Sequence, residues 1–296
     1  MEITAEYVRK HLPVIQRDYN KYDRGRLLVI AGSYGMAGAT VLASKAALRS
    51  GIGYLNVAVP KEIYEIIAVS VPEAVFTVYE KAEDLETAID KADAIVLGPG
   101  LGTLRDTVCP YAFKKAKKPL LIDADGLNSL ATAPWHFKGR DVVLTPHEGE
   151  MARLLELPSS AVRSDRKAAL IKASAAYGAA ILLKGPDTLV TEAIYLPPRE
   201  ISEDMEPVVI EEPEILVNHT GNPCLAAAGS GDVLSGVIGA LMAGGVRGRE
   251  AAAMGAYIHG AAGDLAAERF GIRSARPLDV IEMIPEVLKK LEAEGA

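Results

Sequence analysis

Six short apolar runs recur along the chain, and each gives way to Gly, Pro or Asp. The runs are LLVIAG (27–32), YLNVAVP (54–60), AIVLGPG (94–100), PLLIDADG (119–126), DVVLTP (141–146) and AAILLKG (179–185). They are continuously apolar rather than alternating, which is typical of strands buried on both faces of a parallel sheet. Helix-length, Ala-rich stretches such as residues 39–51 and 164–178 lie between them. This alternation predicts an α/β fold with a doubly wound, mostly parallel central sheet flanked by helices on both faces.

The whole chain, residues 1–296, is expected to form one domain, because the same pattern continues through most of its length. Residues 196–214 interrupt the pattern with an acidic, Pro-rich segment that suits a surface loop or edge hairpin better than a domain linker. Two later stretches, residues 233–245 and 250–271, have Gly and Ala at near-helical spacing. We expect two helices whose small residues allow tight packing against the sheet.

Composition and charge exclude several classes of protein. The formal net charge of −7 argues against a nucleic-acid binder, which would carry a basic face. The N-terminal segment lacks the features of a signal peptide, and no apolar run is long enough for a membrane span. Cys109 and Cys224 give neither a disulfide framework nor a metal-ligand spacing. We therefore expect a cytoplasmic protein without a nucleic-acid or membrane partner.

Glycine-rich or polar motifs follow the predicted strands. They are AGSYGMAGA, GPGLG, DADGLN, TPHEGE and KGPDT, joined later by AGSGD. Ligands of open α/β sheets bind beyond the carboxyl ends of the strands, and glycine lets the backbone approach a ligand closely. Together the motifs predict a ligand site along that edge of the sheet.

The motif AGSGD stands immediately before a predicted helix. A helix that begins near Asp232 presents free N–H groups and the positive end of its dipole, so Gly229, Ser230 and Gly231 can form an anion cradle for a phosphate. Asp232 has two interpretations. It is either a helix cap, worth about 1 kcal/mol, or a general base toward a hydroxyl that attacks the phosphate.

Other polar residues at strand ends also keep two interpretations. Lys184 and Thr188 suit a nucleotide site or an ordinary turn, and His147 suits a ligand site or a structural position. Asp123 and Asp125 either hold Mg²⁺ through water or terminate a strand.

A competing motif is the GxxGxxG pattern of Gly32, Gly35 and Gly38, which lies where a dinucleotide-binding turn would lie. The strand that follows ends without an acidic residue for a ribose. A Tyr-x-x-x-Lys pair, Tyr111 and Lys115, lies too early in the chain for a short-chain dehydrogenase. These features disfavour a dehydrogenase.

The motifs taken together resemble one family, the ADP/ATP-dependent NAD(P)H-hydrate dehydratases of the ribokinase-like superfamily. The resemblance runs from GRLLVIAGSYGMAGA (25–39) to AGDLAAERFG (262–271). GPGLG, LLIDADGLN, VVLTPHEGE, LLKGPDTLV and TGNPCLAAAGSGDVLSG occur in the family's order. The resemblance implies a ribokinase-like fold and repair of NADH or NADPH to which water has added.

In that reaction a nucleotide phosphorylates the added hydroxyl, and phosphate then leaves as the ring is restored. The implied site residues are Asp232 as the base; Gly229, Ser230 and Gly231 around the phosphoryl group; Lys184, Gly185, Pro186, Asp187, Thr188 and Gly231 against the nucleotide; Ala39, Gly100, His147 and Asp232 around the hydrate; and Asn218 and Asn222 in support of Mg²⁺ or phosphate. No residue is assigned as a direct metal ligand.

Two positions depart from the family pattern, because Cys224 and Ala228 stand where glycine is usual. If position 228 requires a positive φ, alanine costs about 1 kcal/mol there. A thiol at position 224 would narrow the approach to the anion cradle or add an oxidisable group.

The resemblance also implies ADP or ATP as phosphoryl donor, Mg²⁺, and a homo-oligomer that is a tetramer or larger. The chain begins close to its first strand, so we expect a dehydratase domain alone that works with a separate epimerase. Preference between the two nucleotides, and between NADH and NADPH hydrate, stays open. The alternatives are a small-molecule kinase of the same superfamily and a non-catalytic nucleotide-binding module.

Overall fold

The computed structural model describes residues 1–194 and 213–293 and contains one nine-stranded sheet. The strands are β1 Arg26–Ile30, β2 Tyr54–Pro60, β3 Val75–Tyr79, β4 Ala94–Leu97, β5 Leu120–Ile122, β6 Val142–Leu144, β7 Ala180–Leu183, β8 Thr188–Thr191 and β9 Leu216–Asn218. Their order is β3-β2-β1-β4-β5-β6-β7-β8-β9. The first seven strands in this order, β3-β2-β1-β4-β5-β6-β7, pair in parallel. Strand β8 pairs antiparallel with both β7 and β9.

Helices cover both faces of the sheet. They are α1 Ala5–His11, α2 Ala37–Arg49, α3 Tyr64–Ser70, α4 Glu86–Lys91, α5 Arg105–Lys115, α6 Asp125–Thr132, α7 Glu148–Leu154, α8 Ser159–Ser164, α9 Arg166–Tyr177, α10 Ser230–Ala243, α11 Gly248–Phe270 and α12 Pro277–Ala293. Helices α1 to α3 and α10 to α12 enclose one apolar core, and α4 to α9 enclose the other. The predicted doubly wound fold is confirmed.

The six apolar runs correspond to β1, β2 and the four strands from β4 to β7. Four of these strands, β4 to β7, are buried at every residue, as continuous apolar runs predict. The runs did not indicate β3, β8 or β9. These strands lie at or near the ends of the sheet. In β3 (VFTVY) Thr77 interrupts the apolar residues and only one residue is buried.

Small residues of α10 allow the close packing that their spacing predicted. A Cβ added to Gly239 would lie 2.3 Å from Val96 Cγ2 of the sheet. A Cβ added to Gly236 would lie 2.1 Å from the Ala43 carbonyl oxygen, so α10 packs as tightly against α2 as against the sheet. This contact leaves no room for any side chain larger than hydrogen.

The expected single domain stays a prediction, although both cores lie against one sheet. The acidic segment 196–214 falls outside the described residues except for its last two. Of these, Glu214 accepts a hydrogen bond from Arg249 Nη2 at 2.7 Å.

Across the described ranges, none of the helices combines the length and the apolar character that crossing a bilayer requires.

Candidate active site

The parallel pairing brings the predicted strand-end motifs to one edge of the sheet. The segments after β1, β4, β5, β6 and β7 all leave the sheet there. The first turn of α10 meets the same edge, since a Cβ added to Gly231 would lie 3.8 Å from Asp123 Oδ2, just after β5. Residues remote in sequence therefore form one candidate active site.

The start of α10 has hydrogen-bond donors available for an anion. Gly229 precedes the helix with φ 92°, a conformation that favours glycine. Among the residues that the structure describes, the N–H groups of Gly229, Gly231 and Asp232 have no acceptor. The Ser230 N–H instead donates to the Ala227 carbonyl oxygen at 3.1 Å. The free amides of the anion cradle are thus Gly229 and Gly231, supplemented by Asp232, while the Ser230 amide is already engaged.

Asp232 lies in the first turn of α10 without capping it. The helix start has no side-chain cap hydrogen bond, and the Asp232 carboxylate has no hydrogen bond or ion pair with any described residue. Burial, followed by repulsion from the Asp123 and Glu150 carboxylates, raises the pKa of Asp232 to about 7, although Lys184 opposes this shift. The interpretation of Asp232 as a helix cap is therefore wrong. What is left is an unengaged carboxyl group whose pKa suits proton transfer near neutral pH.

Lys184 follows β7 and reaches two buried carboxylates. Its Nζ lies 2.9 Å from Asp123 Oδ1 and 3.8 Å from Glu150 Oε2, and Ser235 Oγ donates to the other Asp123 oxygen at 2.8 Å. Burial lowers the pKa of Lys184, but the Asp123 and Glu150 carboxylates outweigh burial and leave the pKa raised. A Cβ added to Gly231 would lie 3.4 Å from Nζ. A fixed positive charge therefore borders the anion cradle.

His147 begins α7 through a reciprocal cap. Its Nδ1 accepts hydrogen bonds from the N–H groups of Gly149 at 3.0 Å and Glu150 at 3.2 Å. Its own N–H donates to Glu150 Oε2 at 2.9 Å. Since Nδ1 accepts, the neutral imidazole carries its proton on Nε2. The side chain is 55% exposed, so this N–H can donate to a ligand.

Ala39, in the first turn of α2, and Gly100, in the loop that follows β4, are neighbours. A Cβ added to Gly100 would lie 2.9 Å from Ala39 Cβ and 3.0 Å from the Met36 carbonyl oxygen. Ser33 Oγ donates to the Gly100 carbonyl oxygen at 2.8 Å, and the Gly32 N–H donates to the Pro99 carbonyl oxygen at 2.8 Å. Gly32 and Ser33 thus tie the loop after β1 to the loop after β4.

The residues predicted to bind the nucleotide divide into two groups. Lys184 faces the buried carboxylates, whereas Gly185, Pro186 and Asp187 form an exposed turn between β7 and β8. Thr188 Oγ1 closes this turn by donating to the Gly185 carbonyl oxygen at 3.1 Å. The role of the turn in binding a nucleotide stays a prediction.

Asn218 and Asn222 make hydrogen bonds within the protein. Asn218 is buried, and its Nδ2 donates to the Ala256 carbonyl oxygen at 3.3 Å. The Asn222 Nδ2 donates to the Gly263 carbonyl oxygen at 3.1 Å. These contacts anchor the segment before the anion cradle to α11, and support of Mg²⁺ or phosphate by the two side chains stays a prediction.

The two departures from the family pattern are accommodated. Cys224 is buried and its Sγ donates to the Gly263 carbonyl oxygen at 3.3 Å, so the thiol packs on α11. Among the described residues, only Ala124 and Glu156 combine a side chain with a positive φ. The cost foreseen for alanine at position 228 therefore does not arise.

Asp123 and Asp125 act as structural anchors in this geometry. Asp125 Oδ2 accepts the Gly102 N–H at 2.8 Å, and its Oδ1 accepts from Asn128 at 3.2 Å. Ala124 between them has φ 49°, an uncommon conformation for alanine that turns the chain sharply after β5. The contacts of Asp125 therefore favour the strand-terminating interpretation over the Mg²⁺ interpretation.

Three contributors to the site were not identified from the sequence. Glu150 and Ser235 carry no local signal for a site, because their contacts with Lys184 and Asp123 form only in the fold. His259 of α11 lies with Nε2 3.1 Å from Ser230 Oγ, and both side chains are buried. Burial, aided by Lys184, lowers the pKa of His259 to about 4, so the imidazole is neutral.

Comparisons with known proteins identify the family of this chain. The family model described as NAD(P)H-hydrate dehydratase matches residues 27–196 and 202–286. The chain belongs to the NAD(P)H-hydrate dehydratase family. A relative named ADP-dependent (S)-NAD(P)H-hydrate dehydratase, from Neisseria meningitidis, is 39% identical over 86% of this chain and 81% of its own length.

Solved structures are similar over nearly the whole chain. The ADP/ATP-dependent NAD(P)H-hydrate dehydratase from Bacillus subtilis, co-crystallised with ATP/Mg²⁺, is 27% identical with a TM-score of 0.80, covering 97% of both chains. A ribokinase-like superfamily protein from Enterococcus faecalis is 24% identical with a TM-score of 0.79, covering 98% of this chain and 95% of its own. The fold of this NAD(P)H-hydrate dehydratase family member is therefore ribokinase-like.

Several curated relatives are longer than this chain. The chain spans about half the length of three that are named bifunctional NAD(P)H-hydrate repair enzymes, since it covers 54%, 53% and 51% of them. The resemblance stated for the motifs is confirmed at the level of the family.

Proposed function

We propose that this protein dehydrates hydrated NADH or NADPH at the expense of ADP or ATP, as a hydro-lyase of metabolite repair. The added hydroxyl takes the terminal phosphoryl group of the nucleotide, which leaves AMP or ADP. Phosphate then departs as the ring nitrogen supplies electrons, and loss of a proton from the neighbouring ring carbon to water restores the double bond of reduced nicotinamide. Hydroxide is a poor leaving group and phosphate a good one, so the nucleotide makes the elimination feasible.

Asp232 carries this proposal. Its carboxylate is free of internal hydrogen bonds and ion pairs among the described residues, and its pKa is about 7. Such a group can accept the proton of the attacking hydroxyl at neutral pH. A carboxylate beside an anion-binding helix start would otherwise only repel the phosphate.

The backbone and Lys184 are proposed to hold the transferring phosphoryl group. Free N–H groups at Gly229 and Gly231 and the positive end of α10 attract its oxygens. The protonated Lys184 ammonium borders these amides and stabilises negative charge that accumulates during transfer. Ala39, Gly100 and the Nε2–H of His147 are proposed to contact the hydrate.

Mg²⁺ is proposed to arrive with the nucleotide. Within residues 1–194 and 213–293, no group of three or more His, Cys, Asp or Glu side chains is arranged to hold a metal. Both oxygens of Asp123 are already engaged by Lys184 and Ser235. Mg²⁺ commonly relies on substrate phosphates and water for its ligands, and a bound nucleotide would supply those phosphates here.

We also propose a cytoplasmic homo-oligomer, a tetramer or larger, that works with a separate epimerase. Three apolar side chains at one end of the sheet are exposed to solvent: Ile66 (57%), Val69 (84%) and Val75 (46%). Their exposure supports contact between copies of the chain. The word bifunctional in the names of the longer relatives supports a second, cooperating activity.

The test is an assay with hydrated NADH or NADPH and with ADP and ATP side by side. We expect the near-ultraviolet absorbance of reduced nicotinamide to return as the nucleotide is consumed and phosphate is released. A stable phosphoester would instead indicate a kinase. Nucleotide binding without turnover would indicate a non-catalytic module, and either result would overturn the proposal.

A further inference from the structure

A cavity of about 300 Å³ lies at the opposite edge of the sheet from the candidate active site. It is lined by the first residues of β1 and β2 and by the end of α4, including Arg26, Tyr54 and Lys91. The active-site motifs all follow the carboxyl ends of the parallel strands, whereas this cavity opens at their amino ends. The cavity is therefore separate from the proposed reaction.

Two tyrosines form an aromatic wall of the cavity. The ring centroids of Tyr22 and Tyr54 are 5.6 Å apart with an interplanar angle of 42°. Lys21 Nζ lies 5.0 Å and 5.6 Å from the two centroids, so a cation holds the pair together. Tyr22 is 51% exposed. The rings are too close for a third ring to enter between them, but a ligand ring can pack against their outer surface.

Asn56 is a polar residue inside the otherwise apolar run of β2. Its Oδ1 accepts a hydrogen bond from Thr77 Oγ1 at 3.1 Å. Its Nδ2 has no acceptor in the part of the chain that the structure describes. Because Asn56 also lines the cavity, a free amide donor is available there.

The two cations that line the cavity differ in their pairing. Arg26 is bound by Asp93 through two hydrogen bonds, of 3.0 Å and 2.9 Å. Lys91 lies within 4 Å of no carboxylate oxygen among residues 1–194 and 213–293. An uncompensated cation beside a free donor favours an anion, even though the chain as a whole has a net charge of −7.

We propose that this cavity binds a small planar aromatic anion, an aryl phosphate or aryl carboxylate. The ring packs against Tyr22 and Tyr54, the anionic group meets Lys91, and the Asn56 amide donates to one of its oxygens. The volume suits a single-ring ligand, at the lower end of the range for small-molecule sites. Recognition needs both parts of the ligand, because neither the tyrosine wall nor Lys91 alone encloses it.

Isothermal titration of the full chain with phenyl phosphate tests the proposal, with phenol and inorganic phosphate as probes that each lack one part. We expect one equivalent of phenyl phosphate to bind at least about tenfold more tightly than either fragment. Tyr22→Ala and Lys91→Gln are expected to weaken binding about five- to tenfold each, whereas Tyr22→Phe retains the ring and the affinity.

Two controls locate the binding. Lys167→Gln removes an exposed cation of α9, and Asp232→Asn alters the candidate active site, so both should leave the dissociation constant within about twofold. Absence of binding, equal binding of inorganic phosphate, or binding unaffected by Tyr22→Ala and Lys91→Gln would overturn the proposal.

Discussion

At the scale of single residues, the site depends on how its charges are compensated. One ammonium, that of Lys184, faces the carboxylates of Asp123 and Glu150 and also acts on Asp232. Asp123 receives two direct partners and Asp232 receives none. Two aspartates of the same site thus have different environments, which suits one to anchor the cation and the other to exchange a proton.

The raised pKa of Asp232 predicts the pH dependence of the reaction. Below about pH 7 the carboxyl group is protonated and cannot accept a proton, so kcat/KM should fall about tenfold per pH unit and level off above pH 7. Initial rates of hydrate conversion across this range measure the effect. The exposed Asp90→Asn variant should keep the profile, and a flat profile through pH 7 would contradict the role of Asp232.

The same pKa predicts the effect of Asp232 on stability. A carboxyl group whose folded pKa is raised from 3.8 to about 7 makes ionisation costly in the folded state, and this cost grows as pH rises between those values. Asp232→Asn should therefore raise the free energy of unfolding by about 4 kcal/mol at pH 8 and have little effect near pH 4. Urea denaturation at the two pH values measures this difference. Equal stability of both proteins at pH 8 would show that the carboxylate is not destabilised by folding.

Removing the cation should have the opposite effect. Lys184→Met leaves Asp123 and Glu150 without their shared partner, so we expect a loss of about 3 kcal/mol in the free energy of unfolding at pH 7. Urea denaturation measures the loss. Lys172→Met, on an exposed position of α9, is the matched control and should change stability by less than about 0.5 kcal/mol. A loss no larger than that of the control would mean that Lys184 does not compensate the buried carboxylates.

At the scale of elements, α10 combines the site with the packing of the fold. Its first turn presents the free amides and Asp232, and its later turns pack without clearance against α2 and the sheet. The position of the anion cradle is therefore determined by glycines further along the helix as well as by the cradle itself.

Gly236→Ala tests this packing. The added methyl group would lie 2.1 Å from the Ala43 carbonyl oxygen, so α10 and α2 must separate, and we expect a loss of about 2–3 kcal/mol. Gly38→Ala, in α2, is the matched control. Nothing lies within 4 Å of the added Cβ, and alanine has a higher helix propensity than glycine. Thermal unfolding of both variants measures the difference, and equal melting temperatures would contradict the account.

The elements also show what could be predicted from sequence. Strands buried on both faces appear as apolar runs, so β1, β2 and the strands from β4 to β7 were evident. The glycines and Asp232 were evident because they are contiguous. The Lys184–Asp123 contact joins residues 61 positions apart and depends on the order of β5, β6 and β7, which no local pattern encodes. The same holds for Ser230 and His259, which meet only because α10 packs on α11.

At the scale of the whole molecule, the two edges of the sheet have different chemistry. The carboxyl edge gathers glycine-rich turns, a helix start and the charges around Lys184, as ligand sites of open α/β sheets do. The amino edge carries the cavity with the tyrosine pair. The proposed dehydratase reaction uses the carboxyl edge, and the proposed aromatic anion binds at the amino edge.

The most direct test of the central claim is a single comparison of Asp232→Asn with the native protein in the hydrated-NADH assay, with ADP binding measured on the same samples. The variant keeps the amides of α10 and Lys184 and loses only the proton acceptor. We predict that its turnover falls by about 10²–10⁴-fold while its dissociation constant for ADP stays within about threefold. Turnover of Asp232→Asn at the native rate would contradict the account.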